Sequence, residues 1–177
     1  MELGDEPKDV MVLNALSKGK SDEKSIAKMT GLSMFDVIGT IERLIARGLA
    51  IREEKKGFFG KKIKIRLTEK GFKELQERRY ELEQKWQRMV NLANNGNTQE
   101  LQRYAENNRS WILPMMMFGI IDMMMFMSML SLMGLAMNHF VPEGMESSVP
   151  SEGMEGMEGG DQGSDVGDFG DLGDISF

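Results

Sequence analysis

Residues 111–137 constrain this chain more than any others. The run begins at Trp111 and ends at Met137, and its 27 residues hold ten methionines and a single charge, Asp122. A stretch this apolar has to be covered by lipid, by a partner or by the rest of the chain. The charge changes sign across it. All 22 Lys and Arg lie at or before Arg109, whereas eleven of the 28 acidic residues lie beyond it. Residues 1–109 therefore carry 22 − 17 = +5, and residues 110–177 carry −11. A basic head, an apolar middle and an acidic tail are the features any fold must accommodate.

At 177 residues the chain can hold one domain of ordinary size, or a smaller one with appendages. The clustering of its 20 glycines towards the end favours appendages. With no cysteine, disulfides, thiol catalysis and cysteine-rich zinc sites are excluded. His139 is the one histidine, so no histidine cluster or triad can form within a chain. Nothing pairs a nucleophile with a base, and neither an enzyme nor a cofactor nor a metal is expected. The polar, acidic start, Met1 to Lys8, lacks the basic and apolar regions of a signal peptide, which places the head in the cytoplasm.

The head reads as three helices and a hairpin. Asp5-Glu6-Pro7 marks a helix start, with Val10, Leu13, Leu16 and the neighbouring Met11 and Val12 as its apolar face. Ser21 is the expected cap of a second helix carrying Ile26, Ala27 and Met29, which Gly31 ends. Ser33 caps a third, whose Val37, Ile41, Leu44 and Ile45 form a helical stripe up to Gly48. The period then shortens to two. Residues 49–53 form one strand, and the alternating 62–67 another, with a glycine-containing loop between them.

In the order and spacing of three segments, the head resembles the MarR and PadR type of winged helix-turn-helix regulator. These are Ser25 to Ser33, Ile41 to Leu49, and Leu67-Thr68-Glu69-Lys70-Gly71. The resemblance covers about residues 8–75. It implies a dimeric DNA-binding transcription regulator, with Ser33, Met34, Phe35, Gly39, Thr40 and Arg43 nearest the major groove. Six hairpin cations suit phosphate contacts, foremost Lys55, Lys56, Lys61 and Lys62. The outward face of the third helix offers one arginine, two acids and three large apolar groups, a poor set for reading base edges. A winged helix that binds a protein, or nucleic acid through its wing alone, stays open.

The expected architecture is mainly α with a small β-hairpin. A winged helix-turn-helix head spans 1–67 and a long pairing helix 68–93. A hinge with a short helix occupies 94–110, a Met-rich apolar helix 111–140, and a disordered acidic Gly/Met tail 141–177. Thr68 caps the long helix, along which Phe72, Leu75, Arg79, Leu82, Trp86, Met89 and Ala93 follow heptad spacing, with Arg79 as the defect and the neighbouring Tyr80 as its expected substitute. Through the family resemblance Leu75, Leu82, Trp86 and Met89 become the expected homodimer seam, the alternative being a helix that packs back on its own head.

Three readings compete for the apolar stretch. It exceeds the roughly 20 residues that cross a bilayer, and basic residues before it would leave the head in the cytoplasm with the stretch as its anchor. Its apolar side chains contribute about −2 to −4 kcal/mol to insertion, against about +3 for Asp122. The methionines themselves suit repacking around varied apolar surfaces, a composition similar to the methionine-rich domains of the signal recognition particle and of chaperones, which would make 112–137 a groove for apolar helices formed by two chains or by a hairpin near Asp122. In either case Met115, Met116, Met117, Met123, Met124, Met125 and Met127 would face the membrane or a hydrophobic client helix, making a targeting or chaperone factor the alternative function. The third reading is a helical core buried between paired subunits.

The tail repeats Gly-Met-Glu at 144–146, 153–155 and 156–158, and Gly-Asp-apolar at 167–169, 170–172 and 173–175. Its composition suits solubility, docking to another protein, or competition for the basic wing.

Overall fold

A computed structural model of the chain describes residues 3–57 and 60–141, with side chains described outside 55–62. Helix α1 (Asp5–Ser17) lies at the centre. Its sequence Val10-Met11-Val12-Leu13 leaves no polar stripe, and a helix apolar on all sides must be surrounded. Every residue from Asp9 to Leu16 is buried, and α1 meets α2 (Glu23–Thr30), α3 (Met34–Ala46), α4 (Glu69–Asn94), α6 (Arg109–Met117) and strand β2 (Gly60–Leu67).

The third helix begins as expected, with the Ser33 hydroxyl accepting from the Asp36 amide at 3.1 Å. The second does not. Asp22, rather than Ser21, caps α2 by accepting from the Ser25 amide at 3.0 Å. The Ser21 carbonyl is used elsewhere, accepting from the Ile65 amide of β2 at 2.8 Å. Strand β1 (Ala50–Gly57) pairs antiparallel with β2, from Ala50 opposite Leu67 to Gly57 opposite Gly60. Both strands run further towards the turn than the sequence pattern indicates. Ala50 and Ile65 turn into the core from this hairpin.

The hairpin and α4 are fastened to the end of α3 by a short set of contacts. The Thr68 hydroxyl caps α4 by accepting from the Gly71 amide at 3.0 Å and donates to the Gly48 carbonyl at 2.7 Å. The Thr68 amide donates to the Leu49 carbonyl at 3.1 Å, and Lys70 Nζ to the Arg47 carbonyl at 2.9 Å. Backbones approach so closely here that a Cβ on Gly71 would lie 2.0 Å from the Leu49 oxygen. Along α4, Leu75, Leu82, Trp86 and Met89 are covered by the chain's own elements. Phe72 and Tyr80 remain exposed, so Tyr80 does not fill the gap at Arg79.

The Met-rich stretch is not one helix. After α5 (Thr98–Asn107), α6 stops at Met117, the chain turns through 118–122, and α7 (Met123–Met133) follows, then a 3-10 turn at Met137–His139. Gly119, at φ +67°, allows the stop: its amide donates to the Met116 carbonyl at 2.9 Å and that of Ile120 to Met115 at 3.0 Å. Asp122 then caps α7, its carboxylate accepting from the Met125 amide at 2.7 Å. Among the described residues no helix is long and apolar enough to cross a membrane. This overturns the expected transmembrane anchor.

It also removes the methionine surface offered to a client helix. Met115, Met116, Met117 and Met123 are buried in the chain's own core, and Met125 and Met127 are half-buried. Of the seven, Met124 alone is largely open, at 78 % exposure. Phe126 of α7 is fully buried, its ring 6.4 Å from that of Trp86 and 5.9 Å from that of Phe140. The expectation for the tail falls, beyond Val141, outside the described residues.

Two glycines should respond in opposite ways. Gly71→Ala must push α4 from the Leu49 carbonyl and should lower stability by about 1–3 kcal/mol or more. Gly39, inside α3 with nothing within 4 Å of an added Cβ, should gain about 0.5–1 kcal/mol as alanine. Urea denaturation of both variants checks the pair, and a Gly39→Ala variant less stable than the natural chain would overturn the second expectation.

Candidate nucleic-acid interface

The residues expected at a groove lie on or beside α3, and the structure divides them. Met34, Phe35 and Ile38 are open to solvent at 43, 86 and 45 % exposure. Gly39 adds an open, side-chain-free patch between them and the next turn. Thr40 is fully buried and accepts a hydrogen bond from Arg43 Nη2 at 3.0 Å. Ser33 is spent on its cap and on donating to the Asp36 carboxylate at 2.7 Å.

The charged groups of this face are committed within the chain. Arg43 donates to the Asp9 carboxylate from Nη2 at 2.8 Å and from Nε at 3.2 Å, and lies 3.3 Å from Asp5. Arg47 takes the second oxygen of Asp9 at 3.0 Å and Glu74 at 3.3 Å. Glu42 is held by Arg52 of β1 at 2.6 Å, and Asp36 by Lys8 at 2.7 Å. Arg43 thus serves the buried Asp9 rather than a base edge. Asp9 and Lys8 were not among the sequence candidates. The signal for Asp9 was an acid followed at once by the run Val10 to Leu13, which has to find a cation when that run is buried.

The hairpin carries the net surplus of positive charge. Residues 50–67 hold seven Lys and Arg against two acids, a balance of 7 − 2 = +5. The other residues up to 109 hold 22 − 7 = 15 cations and 17 − 2 = 15 acids. The entire surplus of the head is therefore in this one ribbon. Its register sets Lys55 opposite Lys62 and Lys56 opposite Lys61. The side chains of these four expected phosphate contacts lie outside the described ones. Nearer the base, Arg66 is paired with Glu53 at 3.1 Å.

Other features offer less chemistry. A groove of about 510 Å³ is lined by Asn14, Lys18, Phe72, Arg79, Tyr80 and Phe118, among others, without a converging acid–base pair. His139 bonds to Glu106 and stands edge-on to Phe140, anchoring the 3-10 turn on α5. Among the described residues no group of three or more His, Cys, Asp or Glu could hold a metal ion.

No family model, curated protein or solved structure matches the chain. The class defined by the fold is a mainly helical protein with a small two-stranded antiparallel hairpin.

Hydrogen bonds from Lys8, then from Ser33, hold the Asp36 carboxyl below its ordinary value of 3.8. A depressed folded-state value means stability that is complete above the unfolded value and lost as pH falls through the folded one. Urea midpoints of the protein and of Lys8→Met should therefore differ at neutral pH and converge on the acid side. A difference that persists unchanged into strong acid would assign the effect to the Lys8 stem instead.

Proposed function

We propose that this protein is a non-enzymatic, winged-helix DNA-binding regulator that grips duplex phosphate through its hairpin and reads little base sequence. The observation that carries this is the concentration of the head's whole net charge, +5, in residues 50–67 with two lysine pairs in cross-strand register. Such a ribbon suits the spacing of backbone phosphates, and contacts of this kind fix position without specifying sequence. The order of three helices and a hairpin, and the Ser25–Ser33, Ile41–Leu49 and Leu67–Gly71 segments, support the resemblance to MarR and PadR regulators.

The open side chains of α3 support weak discrimination. Met34, Phe35 and Ile38 can meet thymine methyl groups, but the arginine of that face is tied to Asp9. The α4 seam expected to pair two subunits is occupied within the chain, so the proposed grip relies on one hairpin per chain.

Fluorescence anisotropy with duplexes of several sequences tests this reading. If four hairpin lysines each neutralise one phosphate, log K should fall with log salt at a slope of about −3 to −4. Replacing Lys55, Lys56, Lys61 and Lys62 by glutamine should flatten the slope towards zero and weaken binding at low salt by roughly 10²-fold or more. Affinities across duplexes should agree within about tenfold. Absence of duplex binding at low salt would overturn the proposal.

A further inference from the structure

The apolar face of α3 is the largest surface feature that duplex binding leaves half explained. Phe35, at 86 % exposure, stands with Met34 and Ile38 on one side of the helix. Glu42, one turn beyond Ile38, is bonded to Arg52, which places this side next to the hairpin. On the hairpin face that carries Arg52 and Ile65, Ile63 is also exposed. An apolar patch bordered by a +5 ribbon calls for an occupant that is both apolar and acidic.

We infer that this occupant is the chain's own segment 167–177, docking in cis on Met34, Phe35 and Ile38 and shielding the hairpin. Gly-Asp-Phe, Gly-Asp-Leu and Gly-Asp-Ile repeat there, so that Phe169, Leu172 and Ile175 each follow an aspartate. Residues 142–177 contain ten acids and no Lys or Arg. From Val141 to Asp168 there are 168 − 141 = 27 residues, enough to reach about 90 Å. A body of the described size is about 40 Å across, so α3 is within range wherever the segment starts. Tethering supplies an effective concentration of order millimolar, enough for a small, weakly binding patch to be occupied. The ribbon that would hold phosphates is thus covered by carboxylates of the same chain, which duplex must displace. That regulatory consequence rests on the proposed DNA binding; the docking does not.

The test is photo-crosslinking in the full chain with benzoylphenylalanine in place of Phe35, without nucleic acid. Digestion at acidic residues, needed because the tail offers trypsin no site, locates the adducts. Expected are same-chain adducts within 167–177, lost when Phe169, Leu172 and Ile175 become serine and reduced at high salt. Mixing isotope-labelled and unlabelled chains separates cis from trans. Adducts only between copies, or none on residues 142–177, overturn the docking whatever the anisotropy shows. If docking holds, the serine variant should bind duplex about tenfold more tightly than the natural chain; a separate failure of duplex binding would leave the crosslink standing.

Discussion

The structure depends on giving a helix with no exposed face two polar groups that are satisfied. Helix α1 buries Asp9 and Asn14 among Val10, Met11, Val12, Leu13 and Leu16. An ionised carboxylate in such a place is tolerated only with charge and hydrogen bonds on both oxygens. Asp9 obtains them from Arg43 of α3 and from Arg47, which caps the end of that helix. This fixes the rotation and height of α3 against α1. Asn14, five residues later, donates to the Met117 carbonyl at 3.3 Å, as Lys18 does at the same distance. Two polar contacts from one buried helix thus position the third helix on one side and the methionine segment on the other.

The same constraint explains why the α3 face has so little to offer a base edge. An arginine that neutralises a buried aspartate cannot also reach outward at no cost, because leaving would strand the charge behind it. What remains for binding is charge on the ribbon and apolar surface on the helix, side by side. Under the proposed DNA binding, stability and selectivity for bases would compete for Arg43, whose Nε and Nη2 are both bonded to Asp9.

Much of the head could be read from its residues. The stripe Val37, Ile41, Leu44, the Ser33 cap and the Thr68 cap all lie as periodicity and capping indicate. Helix α1 was placed correctly but given one apolar face, whereas its consecutive Val10 to Leu13 signalled burial on every side. The Met-rich stretch misled through composition. Summed hydropathy joined α6 and α7 into one long element, while the break was written locally as Gly119 followed three residues later by Asp122. A stop glycine and a starting cap outweigh any average over 27 residues. At the site, the exposed apolar side chains of α3 could be counted from its stripe, but the commitment of Arg43 could not. It depends on Asp9, 34 residues earlier in the chain.

The bond from Asn14 to the Met117 carbonyl joins residues 103 apart. In a chain made from its N-terminus, the flank of α1 that meets α6 therefore stays open until residues about a hundred positions later have been made. At a synthesis rate of about 5–20 residues per second, Val10 to Leu16 wait roughly 5–20 seconds before α6 exists to cover them. During that interval α1 has α2, α3, the hairpin and then α4 to pack against, and lacks α6 on its remaining flank. The methionines of α6 are suited to close such a flank, since unbranched, polarizable side chains fit a surface already set by earlier packing.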